Sequence, residues 1–172
     1  MTTKPESNFG RDVMKNINAQ WTRIENRHGG GIPDLYGIKD GVSIWLELKC
    51  IRINSINISP LQIAWNYKHF QENGKNYFLV KHTEQKIVKL YDGDKGKELK
   101  KSGFRVPCTA KLEPPYNWDI LEREIFFPGA NKFYWVSRSE DREQREEHRE
   151  TMTARLIPFY AVIFFIHIVV KI

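Results

Sequence analysis

With 172 residues, 41% of them hydrophobic, 13% aromatic and 28% charged, the chain is long enough for one compact domain with a substantial core and too short for two of full size. That composition excludes a wholly disordered or fibrous protein, and the two cysteines, Cys50 and Cys108, exclude a disulfide scaffold and a four-thiolate zinc centre. Lys and Arg number 27 against 21 Asp and Glu, a net charge of +6; residues 137–172 hold six of each sign, so the whole excess falls on residues 1–136. A basic body is the footprint expected of a polyanion-binding surface, because each phosphate contact releases condensed counterions. No apolar leader of signal-peptide type opens the sequence, and a reducing cytoplasm is the expected compartment.

From Pro5, the residues Phe9, Val13, Met14 and Ile17 recur at helical spacing, and Trp21–Arg27 then reads as a strand. After Gly29-Gly30-Gly31, the runs Leu35–Ile38 and Val42–Lys49 are joined through Lys39-Asp40-Gly41, where Asp-Gly signals a tight hairpin between antiparallel neighbours. Residues 50–58 read as a loop or irregular edge. Ser59-Pro60 opens a helix, Ser as its cap and Pro in its first turn, which runs through Leu61, Ala64, Trp65 and Phe70 to Asn73 with Gly74 as its stop. Tyr77–Val80 and Lys86–Tyr91 read as further strands, residues 92–103 as a Gly- and Lys-rich surface turn, and the stretch carrying Pro107, Pro114, Pro115 and Pro128 as less regular. The order αβββαβ predicts an α/β fold with a mixed central sheet flanked by helices.

The end of the chain differs in kind. Residues 138–150 mix both charge signs at helical spacing, which reads as a solvated helix, and Leu156–Val170 is an apolar run interrupted only by Pro158 and His167. A spanning helix wants about 20 apolar residues, so this run is short for one. Three readings stay open for it: membrane association, packing against the body or a partner chain, and an adventitious extension. The expected organisation is thus a domain over 1–136, a charged helix over 137–155 and an apolar tail over 156–172.

The segment richest in chemistry is Gly31-Ile-Pro-Asp34 followed by Glu47-Leu-Lys49. Side chains alternate along a strand, so Glu47 and Lys49 share one face with Trp45, whereas Ile44, Leu46 and Leu48 form the other, apolar side. The hairpin returns Asp34, at the mouth of its strand, beside Glu47. Two carboxylates so close repel unless a cation sits between them, and hard oxygen ligands select Mg²⁺ or Mn²⁺.

Pro33-Asp34, twelve intervening residues and Glu47-x-Lys49, set in an αβββαβ order, resemble the PD-(D/E)xK nuclease superfamily. The wording Arg23-Ile-Glu-Asn26, Gly-Ile-Pro-Asp34, Trp45-Leu-Glu-Leu-Lys49 and Ser59-Pro-Leu-Gln62-x-x-Trp65 is similar to small VRR-NUC-type and Holliday-junction-resolvase-like endonucleases common in phages; the likeness covers about residues 5–91. The resemblance implies a restriction-endonuclease-like core and a metal-dependent endonuclease acting on DNA, with branched or junction DNA among its candidate substrates and a homodimer as its common state. It implies that Asp34, Glu47 and the main-chain carbonyl of Leu48 bind Mg²⁺ or Mn²⁺, that Lys49 orients or activates the attacking water, that Glu6 adds an acidic group beside the metal, and that Gln62 is presented to the site. A non-catalytic DNA-binding or assembly module on the same scaffold, and a membrane-tethered factor governed by the tail, are the rival functions.

Other candidates carry less. Glu25 alternates with Arg23 and Arg27 and reads as site-lining or as a paired structural carboxylate. His28, beside the glycines, reads as a solvent-facing loop histidine or a phosphate contact; His69, His82 and His148 lack ligand-like spacing to one another or to a cysteine, so no zinc is expected. Lys95, Lys97, Lys100 and Lys101 read as a solvated turn as readily as a DNA track, and Trp65 and Tyr67 read as core aromatics.

Overall fold

Val42–Ile51, ten residues long, is the strand around which the rest of the fold is arranged. In the computed structural model, which describes residues 5–25 and 31–129, the helices are α1 (Pro5–Asn16), α2 (Pro60–Gln71), α3 (Gly96–Ser102) and α4 (Trp118–Phe126), and the strands are β1 (Gln20–Arg23), β2 (Leu35–Lys39), β3 (Val42–Ile51), β4 (Asn76–His82), β5 (Ile87–Asp92) and β6 (Ala110–Leu112). The six strands form one mixed sheet in chain order; β3 and β4 are parallel across the α2 crossover, and the other pairs are antiparallel. The fold is α/β, and its first elements follow the expected αβββαβ order. The compact unit holding them ends at Gly129. His28, the charged segment 137–155 and the apolar tail 156–172 lie outside the described residues. No helix among the described residues is long and apolar enough to cross a membrane.

Strand alternation divides the core in two. Leu35, Ile44, Leu46, Leu48, Leu79 and Leu90 point to one face, where Phe9 and Val13 from α1, Ile17 just beyond it, and Leu121, Ile125 and Phe126 from α4 cover them. Phe78, Val80 and Tyr91 point to the other, under Ile56, Ile58, Leu99, Phe104 and Val106, with Ile63 of α2 packed alongside. The hairpin between β2 and β3 closes on Asp40 and Gly41, both at positive φ (49° and 77°), with Lys39 opposite Val42; such a turn matches the twist of the strands it joins.

Several elements depart from the pattern-based expectation. β1 stops at Arg23, short of the Trp21–Arg27 run. β3 continues through Cys50 and Ile51 because β4 pairs with them; residues 52–59 form the expected loop, within which Ile56 and Ile58 are buried at 2% and 1% exposure. α2 ends at Gln71, with Asn73 rather than Gly74 taking the left-handed φ of 59° that stops it. The expected surface turn at 92–103 is a 3₁₀ turn and α3, anchored by the fully buried Leu99. Strand β6 and helix α4 fill the stretch expected to be less regular. Tyr67, expected in the core, is exposed with Lys97 Nζ 5.6 Å from its ring centre.

Leu46 is wholly buried on the face away from Glu47. Leu46→Ala is expected to lower the unfolding free energy by about 3 kcal/mol through the cavity it leaves. Ser43→Ala, at an exposed β3 position, is expected to change it by less than about 0.5 kcal/mol. Denaturant titration measures both.

Candidate active site

The sheet opens where β2 leaves β3. Their pairing ends at Leu35 and Leu46, whereas β3 runs on to Ile51 against β4. Odd-numbered residues of β3 turn their backbone groups toward β4, as shown by the bond from Trp45 N–H to the Lys75 carbonyl at 3.0 Å, so even-numbered ones face the β2 side. Beyond Leu46 those even-numbered amides have lost their strand partner, and acidic side chains take them instead. Leu48 N–H donates to Asp34 Oδ2 at 2.8 Å, and Cys50 N–H to Glu6 Oε1 at 3.4 Å. The N–H and C=O of one strand residue share an edge, so the Leu48 carbonyl faces this same opening.

Asp34 is held by backbone on two sides. Its carbonyl accepts from Ile24 N–H at 2.9 Å, which carries the β1 pairing one bond further. Upstream, Gly31 has φ +73°, and a Cβ there would stand 2.5 Å from the Leu61 carbonyl carbon and oxygen. Only glycine lets the Gly31–Asp34 segment lie directly on the first turn of α2.

Glu47 projects from β3 onto the α2 face and is 1% exposed. Its Oε1 accepts from Lys49 Nζ at 3.0 Å and from Gln62 Nε2. Its Oε2 is buried with no hydrogen-bond partner among the described residues. Burial, and then repulsion from Asp34, push the Glu47 carboxyl up to about 7 against the opposing pull of Lys49 and Gln62. Asp34 is also raised, by burial above all; the Leu48 N–H, Lys49 and Arg23 draw it down, and Glu6 adds to the rise.

Gln62 joins this pair to the helix. It is the third residue of α2, and with Ser59 it forms a reciprocal cap: Gln62 N–H donates to Ser59 Oγ at 3.1 Å, and Ser59 N–H donates to Gln62 Oε1 at 3.0 Å. The same Oε1 accepts from Lys49 Nζ at 3.3 Å. The amide thus orients Glu47 and Lys49 while completing the helix terminus.

Asp34, Glu47, Lys49 and Gln62 are brought together. Glu6 stands one pleat further along the opened edge, and among the described residues no three His, Cys, Asp or Glu side chains converge as a metal cluster. Glu25 lies exposed just beyond β1. His69 stacks on Trp65 at 4.7 Å, and Trp65 meets Trp45 edge-on at 5.4 Å. Sequence reasoning passed over Arg23 as a charge acting on Asp34 and the cap made by Gln62, although the Ser59-x-x-Gln62 spacing is itself the signal of such a cap.

The donor set fits a hard divalent cation. The unpartnered Glu47 Oε2, an Asp34 carboxylate that repels Glu47 and the Leu48 carbonyl on the opened edge are all oxygen donors, and a positive charge among them would satisfy the first and relieve the second.

No family model matches the chain, and no curated protein matches it. Among solved structures it is similar to Hjc of Archaeoglobus fulgidus, a Holliday junction resolvase from an archaeal hyperthermophile, at 12% identity over 51% of this chain and 74% of that one, with a TM-score of 0.40. A likeness of that size names neither a substrate nor a site residue.

Burial and the neighbouring Asp34 raise Glu47 from the ordinary glutamate value of 4.5 to about 7, so without a cation the folded chain binds this proton more tightly than the unfolded one. The stability contributed by that proton is full below the lower value and is lost as pH rises through the upper one. Glu47→Gln, which mimics the protonated side chain, is expected to melt with the wild type near pH 4.5 and above it beyond pH 7, read by circular dichroism in EDTA.

Proposed function

We propose that this protein is a divalent-metal-dependent nuclease that hydrolyses phosphodiester bonds in DNA at the site formed by Asp34, Glu47, Lys49 and Gln62. The observation that carries the reading is the buried Glu47 carboxylate, with one oxygen held by Lys49 and Gln62 and the other unpartnered beside Asp34. A buried carboxylate left half-satisfied costs several kcal/mol. A fold retains such a cost where a ligand relieves it, and Mg²⁺ or Mn²⁺ is the ligand these oxygens suit.

Asp34, Glu47 and the Leu48 carbonyl would hold the cation, which supplies positive charge to the phosphate oxygens when bound. Lys49 reaches Glu47 from the same strand face, so its ammonium can stand against the phosphate while Glu47 fixes its position. Gln62 keeps Lys49 and Glu47 aligned. The charge excess of residues 1–136 supplies the general attraction for a polyanion. One site cuts one strand, so paired incisions need two copies of the chain; branched DNA is the first substrate to test beside duplex and single strand.

Cleavage of labelled DNA is expected to vanish in EDTA and to return with Mg²⁺ or Mn²⁺. Full activity in metal-free buffer overturns the reading. Asp34→Ala and Glu47→Ala are each expected to lower turnover by roughly 10²-fold or more, and near-normal cutting by both would return them to structural roles. Lys49→Ala is expected to lower kcat and kcat/KM together with little change in DNA Kd, since its charge acts where negative charge develops. Parallel loss of binding and turnover would make it a phosphate clamp.

A further inference from the structure

A second concavity, its wall mostly apolar but rimmed by basic side chains, lies on the same face of the sheet as Glu47. It is a cavity of about 340 Å³ at β5, β6 and the 3₁₀ turn Gly103–Arg105, lined by His82, Ile87, Lys89, Phe104, Arg105 and Lys111 among others, none of them acidic. Lys89 and Lys111 are paired across β5 and β6. Lys89 Nζ donates to the Phe104 carbonyl at 2.8 Å and lies 4.3 Å from the centre of the Phe104 ring, which leaves further ammonium hydrogens for a ligand. Lys111 is exposed and ion-paired with Glu113, itself more than half exposed.

His82 turns this from a charged surface into a built site. The residue is 5% exposed, and its Nδ1 accepts from Gln85 N–H at 3.3 Å. An accepting Nδ1 carries no proton, so the neutral ring holds its hydrogen on Nε2, a donor with no acceptor among the described residues. The cavity therefore offers the solvent-reachable N–H of a largely buried imidazole, two ammonium groups and a guanidinium. Such a set recognises an anion with several acceptor oxygens, and phosphate is that anion. Ile87 and the Phe104 ring supply an apolar wall, and the volume exceeds what a phosphate alone would fill.

Its position says where the phosphate comes from. Lys49 pairs with Val80, Val80 with Lys89 and Lys89 with Lys111, a single row across one face of the sheet. Three strand steps separate Lys49 from Lys111, about 14 Å. Val80, in that row between Lys49 and Lys89, is buried in one hydrophobic cluster with Ile56, Ile58 and Phe104. We propose that the cavity holds a phosphate and its sugar from the same DNA strand that meets Asp34 and Glu47, a few nucleotides from the scissile bond. The choice of DNA as the source rests on the nuclease reading.

The test is DNA binding by fluorescence anisotropy across a salt series, with the full chain and no metal, so that no cutting occurs. Arg105→Glu and Lys111→Glu, both at exposed positions, are each expected to weaken binding about tenfold and to reduce the salt slope by about one. Lys15→Glu, the same charge change on exposed α1 surface packed against the opposite face, is expected to cost far less, and Lys111→Gln to fall between wild type and Lys111→Glu. Equal effects of Lys15→Glu and Lys111→Glu, unchanged affinity in both cavity variants, or no DNA binding by the wild type would overturn the proposal. Inorganic phosphate that raises the wild-type Tm but not that of Arg105→Glu, with equal DNA affinities, would also overturn it in favour of a free-anion site. A wild type that binds DNA through the cavity but cuts no DNA when metal is supplied leaves this result standing and overturns only the nuclease reading.

Discussion

The buried carboxylate of Glu47 is the constraint from which the architecture of the α2 face follows. A charge at 1% exposure persists only if its neighbours answer it, and the neighbours that do so come from two elements: Lys49 two residues along the same strand, and Gln62 in the first turn of α2. That demand fixes where α2 begins, and the contact of Gly31 with Leu61 in turn sets where the Asp34 segment crosses it. The opposite face carries a lighter burden, the carboxylate of Glu122 in α4, which Lys39 and the Asn18 N–H answer on both oxygens. Its strand residues meet α1 and α4 through aliphatic and aromatic side chains, which is where most of the hydrophobic stabilisation resides. One strand thus serves two purposes, structural stability on one side and chemistry on the other, separated by the pleat.

Main-chain groups are as much a part of the site as side chains. Because pairing with β3 begins only at Leu35, strand β2 leaves the edge at Leu48 and Cys50 open, and the carboxylates of Asp34 and Glu6 replace the missing strand. An acidic side chain accepting from a backbone amide is charge-assisted and sharply placed. The same opening leaves the Leu48 carbonyl turned toward Asp34, so a fault in the ladder becomes a set of oxygen donors. Arg23, opposite Leu35 in β1, contributes its charge from the neighbouring strand.

Much of this was legible in the residues. Alternation placed Glu47 and Lys49 together because strand parity is a local property, and Asp40-Gly41 announced the hairpin because its backbone demands positive φ. The α2 start was readable in Ser59-Pro60 for the same local reason. What escaped was nonlocal. Cys50 and Ile51 belong to β3 only because β4 lies beside them. The lysine-rich stretch at 92–103 looks like a turn until Leu99 is seen filling a space made by Phe78 and Tyr91. Helix α4 carries Leu121 and Ile125 at helical spacing, but prolines on either side obscure it. The orphaned Glu47 oxygen cannot be inferred from letters at all, since it depends on which donors the fold fails to provide.

Ser59 and Gln62 are a helix cap first, yet the same amide bonds Glu47 and Lys49. The opening turn of α2 therefore cannot fray without releasing both charged side chains, and whatever occupies the acidic centre holds that turn shut. Slowing of amide hydrogen exchange at the start of α2 becomes a report on occupancy at a distance of one side chain. A solvent-facing serine, one side chain removed from Glu47 and Lys49, is by the same linkage a dial on how tightly the centre holds its ligand.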